Sequence, residues 1–181
     1  MNYRIMSVDP GTINTGVVVS ELGPDNALIV LATKKILKKK GDAWHRITHI
    51  VGQVLELVEM WDVRELWTEL YVPYGARKGS LWNMMLVGAL LYLPVTRSLS
   101  DLRSYGLYAR EWKQWLKKAT PNCDTDKRRA VSFAKDHGLE FTDEMELDLT
   151  DIHVADALGL VLFTRYSGDT HEHPTCDPAV R

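Results

Sequence analysis

The chain has 181 residues, is 45% hydrophobic and carries a formal net charge of −2. That length predicts one domain with a core of its own, and the charge balance alone announces no nucleic-acid partner. Two cysteines, Cys123 and Cys176, make no disulfide framework, and the longest apolar run, Leu81 to Leu93, holds Asn83 and Gly88 and is too short to cross a bilayer as a helix.

The chain opens with a short apolar run that ends in Asp9-Pro10-Gly11-Thr12 and returns through Thr15-Gly16-Val17-Val18-Val19-Ser20. Met1 to Val8 and Gly16 to Glu21 are read as a hairpin pair, which puts the Asp9 carboxylate at the rim of a sheet. No leader is read here because the opening residues have a strand pattern, so a reducing cytoplasmic setting is expected. Gly23-Pro24-Asp25-Asn26 is a turn, and Ala27 to Lys34 a third strand. Lys34 to Lys40 carries five lysines and is read as a solvated loop. Asp42 is a fair N-cap for a helix to about Trp61 whose apolar face holds Ile47, Ile50, Val51, Val54, Leu55 and Val58.

Val63 to Tyr71 is read as a fourth strand, with Trp67, Glu69 and Tyr71 on one face and Leu66, Thr68 and Leu70 on the other. A loop, Pro73 to Ser80, leads to a helix over about 81–93 that is apolar nearly all round. One core buries only one face, so this helix is expected to meet a second surface, as in a homodimer, or to be a buried central helix. Arg103 to Tyr108 is read as a fifth strand, Arg110 to Lys118 and Thr125 to His137 as helices, and Asp151 to Tyr166 as the last helix. The tail, 167–181, is polar and expected to be loose. From Arg103 to Arg129 eight Lys or Arg stand against three acids, whereas Glu140 to Asp156 has seven acids and no Lys or Arg. That polarity fits a basic groove beside an acidic metal site, or two solvated faces.

Acids on strand one, on strand four and on a late helix suit metal-dependent phosphodiester chemistry. Two divalent cations about 3.5–4 Å apart activate a water and stabilise the leaving oxygen, and Mg²⁺ takes oxygen ligands that no single local segment supplies. Glu69 lies inside an otherwise apolar strand, so its charge must be paired, hydrated or metal-bound; a salt bridge to a buried Arg is the plain alternative. His153 and Asp156 stand at i and i+3 and share a helix face. Thr150 and Asp151 are read as helix-start residues.

The order Asp9-Pro10-Gly11-Thr12 with Thr15-Gly16, then Glu69, then Ala155-Asp156-Ala157-Leu158, resembles the RuvC family of Holliday-junction resolvases over about residues 3 to 166. The resemblance implies an α/β, ribonuclease H-like fold: a mixed five-stranded sheet flanked by helices, in one nuclease domain over 1–166. It implies that Asp9, Glu69 and Asp156 are metal ligands and that His153 takes the fourth ligand position, around two Mg²⁺ or Mn²⁺ ions. An imidazole there suits Mn²⁺ better than an all-oxygen set and offers a proton-transfer group near neutral pH. The segment Tyr108 to Gln114 resembles the one that carries a basic residue, here Lys113, to the scissile phosphate, and Asp126-Lys127 resembles a second such segment. Where the family has an aromatic wedge after the strand-four glutamate, this chain has Val72, with Tyr71 and Tyr74 near; Tyr74, Arg77 and Lys78 are candidate DNA contacts. The activity implied is metal-dependent endonuclease cleavage of four-way junctions, and of other branched DNA, by a homodimer, leaving 5′-phosphate nicks. A divergent phage or viral branch would act in the host cytoplasm, a cellular one at the nucleoid.

Other readings stay open. Asp-x-Gly-Thr also resembles the phosphate turn of actin-like ATPases and sugar kinases, which need two lobes and a second Asp-Gly-Gly-type turn that this chain lacks. An RNA-directed YqgF-like nuclease and a catalytically silent junction-binding protein share the pattern. His171, His173 and Cys176 could bind zinc, though a second ligand pair is lacking.

Overall fold

A computed structural model describes residues 3–24, 27–72, 78–96, 99 and 101–167, the side chains of 78–80 and 96 excepted. β1 (Tyr3–Asp9) pairs antiparallel with β2 (Asn14–Leu22), and β2 pairs antiparallel with β3 (Leu28–Leu37). On its other edge β1 pairs parallel with β4 (Glu65–Leu70), and β4 pairs parallel with β5 (Arg103–Tyr108). The order β3-β2-β1-β4-β5 places β1 at the centre of a mixed sheet. Parallel neighbours need crossover connections. These are α1 (Ala43–Met60) between β3 and β4, and α2 (Lys78–Leu91) with the short α3 (Leu93–Thr96) between β4 and β5. After β5 come α4 (Ala109–Ala119), α5 (Asp126–Asp136), α6 (Asp143–Asp148) and α7 (Ile152–Tyr166).

Alternate strand residues enter two apolar clusters, because successive side chains point to opposite faces. Ile5, Val18, Val30 and Leu107 pack with α4, α5 and α7, while Met6, Val8, Val17, Val19 and Leu66 pack with α1 and α2. Burial on both faces explains why β1 and β2 read as continuous apolar runs rather than alternating ones. α7 is buried from Val154 to Leu162 and lies across the sheet, where Ser7 Oγ donates to Ala157 O at 2.6 Å. Side-chain caps start the helices: Asp42 accepts from His45 N, Thr125 from Arg128 N, Thr142 from Met145 N and Asp151 from His153 N. Such a cap contributes about 1 kcal/mol.

The strands and long helices lie close to their sequence-based bounds. Three differences stand out. β3 runs on past Lys34 to Leu37, so Lys35 is a strand residue and not loop; Lys34 bonds Gln53 and Lys35 pairs with Asp151 at 2.6 Å, which holds the strand's charged end down. The helix expected over 81–93 begins at Lys78 and breaks before α3. α6 has the sequence DEMELD, too short and too acidic to show an apolar period; Thr142 and acids in the first turn start it instead. α2 buries Leu86, Val87 and Leu90 and exposes Leu81 and Met84. No helix among the described residues is long and apolar enough to cross a membrane. The tail with His171, His173 and Cys176 lies outside the described residues, as do Tyr74 and Arg77.

Candidate functional site

Asp9 ends the central strand and is buried, on the same sheet face as Ile5 and Ser7. The turn after it is closed by Thr15, whose Oγ1 donates to Gly11 O at 2.9 Å. Opposite Asp9 in the ladder is Gly16, where a Cβ would fall 2.0 Å from His153 O. Only glycine lets the first turn of α7 come this close to β2, and that approach delivers His153 to Asp9. His153 Nδ1 and Asp9 Oδ2 are 2.5 Å apart.

Glu69 shares a face of β4 with Trp67, which packs with the α4, α5 and α7 cluster. Its Oε2 accepts from Trp112 Nε1 at 3.0 Å. Trp112 is fully buried on α4, seated against Gly159 of α7, where a Cβ would fall 2.4 Å from the indole ring. One residue on, Lys113 donates to Asp156 Oδ2 at 2.8 Å. α4 is therefore aimed by its tryptophan, and its lysine reaches the acid of α7.

The electrostatics tie these groups together. Burial first, then the charge of Asp9, pushes the Glu69 carboxyl up to about 7. Burial first also raises Asp156, against the bond from Lys113, and the charge of Asp9 adds to the rise. For Lys113 burial opposes its charge, but the bond to Asp156 and the charges of Asp156 and Glu69 prevail and raise it. His153 is raised by its bond to Asp9, against burial. Three acids thus repel one another across a shared, partly dry space, with the Lys113 ammonium and the His153 imidazole bonded to two of them.

Among the described residues, no three His, Cys, Asp or Glu side chains form a ready-made metal-binding group. Each acid is engaged with its own protein partner instead. The donors nevertheless suit hard divalent cations: three carboxylates and one imidazole. Asp156 Oδ1 is buried without a hydrogen-bond partner, a costly state that a bound cation would relieve. The residues fit the group in donor chemistry, and its binding would require some of the present pairs to part.

The other sequence candidates are placed less centrally. Lys127 donates to Thr150 O at 2.5 Å, and with Arg128, Lys135 and Leu149 it lines a separate cavity of about 360 Å³. Its neighbour Asp126 is the one whose charge reaches the site, raising both Lys113 and Asp156 while itself paired to Arg129 at 2.7 Å. Lys78 begins α2. Beside Glu69 a cavity of about 660 Å³ opens between the strand ends, lined by Tyr71, Val72, Tyr108 and Arg110. Sequence reasoning missed Trp112 and Asp126 as site neighbours. The signal for Trp112 was there, in a bulky indole on α4 facing a helix that carries Gly159.

At low sequence identity, the fold of this chain is shared with solved structures. Thermus thermophilus RuvC in complex with a Holliday junction substrate matches with a TM-score of 0.64 at 18% identity, over 90% of this chain and 95% of that one. The fold is that of the RuvC-type resolvases. The yeast mitochondrial Holliday junction resolvase matches this RuvC-type fold with a TM-score of 0.67 at 13% identity, over 88% of this chain and 75% of that one. The fowlpox virus Holliday junction resolvase does so with a TM-score of 0.55 at 13% identity, over 91% and 99%. No family model and no curated protein matches the sequence.

Proposed function

We propose that this chain is a metal-dependent endonuclease that resolves Holliday junctions and other branched DNA. The observation that supports the reading is the charge coupling of Asp9, Glu69 and Asp156 from β1, β4 and α7, with His153 bonded to Asp9, Lys113 to Asp156, and Asp156 Oδ1 buried and unpartnered. A RuvC-type fold supports the junction as substrate.

Asp9, Glu69, His153 and Asp156 would hold Mg²⁺ or Mn²⁺, two per site. Bound there, the cations supply an activated water and neutralise charge on the phosphate. Lys113, once parted from Asp156, offers its ammonium to a phosphate oxygen. Trp112 fixes one Glu69 oxygen and so limits how that carboxylate turns. The His153 imidazole can carry a proton near neutral pH. Hydrolysis that breaks the bond to the 3′ oxygen leaves a 5′ phosphate, a ligatable end. The exposed Leu81 and Met84 of α2 support a homodimer, whose two equivalent sites would cut paired strands of a two-fold junction.

The test is cleavage of a synthetic four-way junction with Mg²⁺ and with Mn²⁺, beside linear duplex, a flap and an RNA–DNA hybrid, with Asp9→Asn as control. Paired symmetrical cuts lost in the variant are expected. Cutting of RNA alone would move the activity to an RNA-directed nuclease, and tight binding without cutting to a silent junction-binding protein.

A further inference from the structure

The lysine-rich segment between β3 and α1 has a place in the fold that its composition does not reveal. Leu37 pairs with Asn14, and Asp9 with Gly16, so the end of β3 lies at the same end of the sheet as the acids. The segment is fastened there. Lys38 N donates to Ile13 O at 2.9 Å. Arg46 Nε donates to Thr12 O at 3.1 Å, and its NH1 to Gly41 O at 2.6 Å. Both Thr12 and Ile13 belong to the turn that follows Asp9.

Within residues 38–46 stand Lys38, Lys39, Lys40 and Arg46 against one acid, Asp42. Asp42 is already engaged, capping α1 and pairing with His45 at 2.9 Å. Lys34 and Lys35 are tied to Gln53 and Asp151, whereas no described residue bonds the ammonium groups of Lys38, Lys39 or Lys40. Next to them Trp44 is 57% exposed, and Ile13 and Leu37 are 46% and 45% exposed. A merely solvated loop explains the lysines. It does not explain a large indole left in water beside them, on a segment bonded to the turn of Asp9.

We propose that residues 38–46 form a DNA-docking surface. Lys39 and Lys40, with Lys38, take backbone phosphates of one substrate arm, and Trp44 stacks on an unpaired base or on a terminal pair at the branch. The inference rests on the nuclease reading and extends it by giving the path of that arm. β3 and β5 are the two edges of the sheet. Four strand spacings of about 4.8 Å put them about 19 Å apart, a span of about five or six phosphates along one strand. An arm gripped by Lys113 and Arg110 on the β5 side and by Lys39 and Lys40 on the β3 side would therefore pass over Asp9 and Glu69.

The experiment measures binding of the full chain to a synthetic four-way junction by anisotropy, in an Asp9→Asn background, over about 50 to 200 mM salt. Adding Lys39→Gln with Lys40→Gln should lower the slope of log affinity against log salt by about 1.8, since each phosphate contact contributes about 0.9. Adding Trp44→Ala should weaken binding about five- to a hundred-fold, the range for lost aromatic stacking on a base. Lys117→Gln with Lys118→Gln, at the far end of α4, should leave the slope unchanged. A parental slope in the Lys39 and Lys40 variant, or an equal drop in the α4 control, overturns the docking surface and leaves the nuclease reading standing. Failure of the Asp9→Asn parent itself to bind branched DNA, or its preference for RNA, overturns the nuclease reading and this one with it.

Discussion

Gly16→Ala should damage the protein at one definable point. The added Cβ would stand 2.0 Å from His153 O, 2.1 Å from its carbonyl carbon and 2.4 Å from Val154 N. Real Cβ atoms essentially never come within 3.0 Å of such neighbours, so β2 and the start of α7 must part by about 1 Å. The atoms met are backbone, and no rotamer change relieves them. β2 is held on both edges by β1 and β3, and α7 is buried against the sheet. The cost expected is the upper part of the overpacking range, about 2–3 kcal/mol. On the proposed nuclease function, activity should suffer further, because the displaced group is His153 and a shift of about 1 Å in a reacting constellation costs about 10²-fold in rate. Urea unfolding with a chelator present measures the first loss, and junction cleavage by the folded fraction measures the second. Gly52→Ala is the companion: nothing lies within 4 Å of its Cβ, so in mid-helix α1 it should stabilise by up to about 1 kcal/mol. Wild-type stability in Gly16→Ala would refute the claim that this contact sets the position of α7.

Ser7→Ala removes the bond from Ser7 Oγ to Ala157 O and should cost about 1 kcal/mol in chemical unfolding. Glu69→Gln should change how metal-free stability depends on pH. The folded carboxyl keeps its proton up to about 7, against 4.5 for the ordinary group. The native state therefore binds more protons between these values and loses stability as pH rises through them, by up to about 3 kcal/mol. The Gln variant should lack that fall, and unfolding curves at pH 4.5, 6 and 7.5, about one pH unit or more apart, will show it. His153→Asp should keep cleavage activity and shift the ratio of Mn²⁺- to Mg²⁺-supported rates toward Mg²⁺; an inactive variant that also fails to bind metal by calorimetry would remove His153 as an interchangeable ligand.

The strands and helices were legible because local pattern and tertiary demand agree. Asp42, Thr125 and Asp151 cap the helices that their positions announce, and β5 occupies Arg103–Tyr108 as the sequence suggests. The end of β3 was hidden because lysines suggest solvent, yet at a sheet edge one face of the strand can stay wet while Ile36 packs inward. The meeting of Asp9 with His153 and of Lys113 with Asp156 is long-range, and no period in a sequence encodes which distant carboxylate a lysine will meet. Asp126 was overlooked for the same reason. Its neighbour Lys127 drew notice as a cation, while the turn of α5 sends that cation to Thr150 O and brings the acid's charge toward the site.

The central place of β1 also sets an order of events during synthesis. Asp9 leaves the ribosome 144 residues before its partner His153. A nascent chain that has released all five strands carries Asp9 and Glu69, with neither His153 nor Asp156 to meet them. Contacts of such long sequence separation form late in folding as well. Asp9, Glu69 and Asp156 therefore come near one another only when α7 settles on the finished sheet, and an interrupted translation product that ends before α7 would lack both His153 and Asp156.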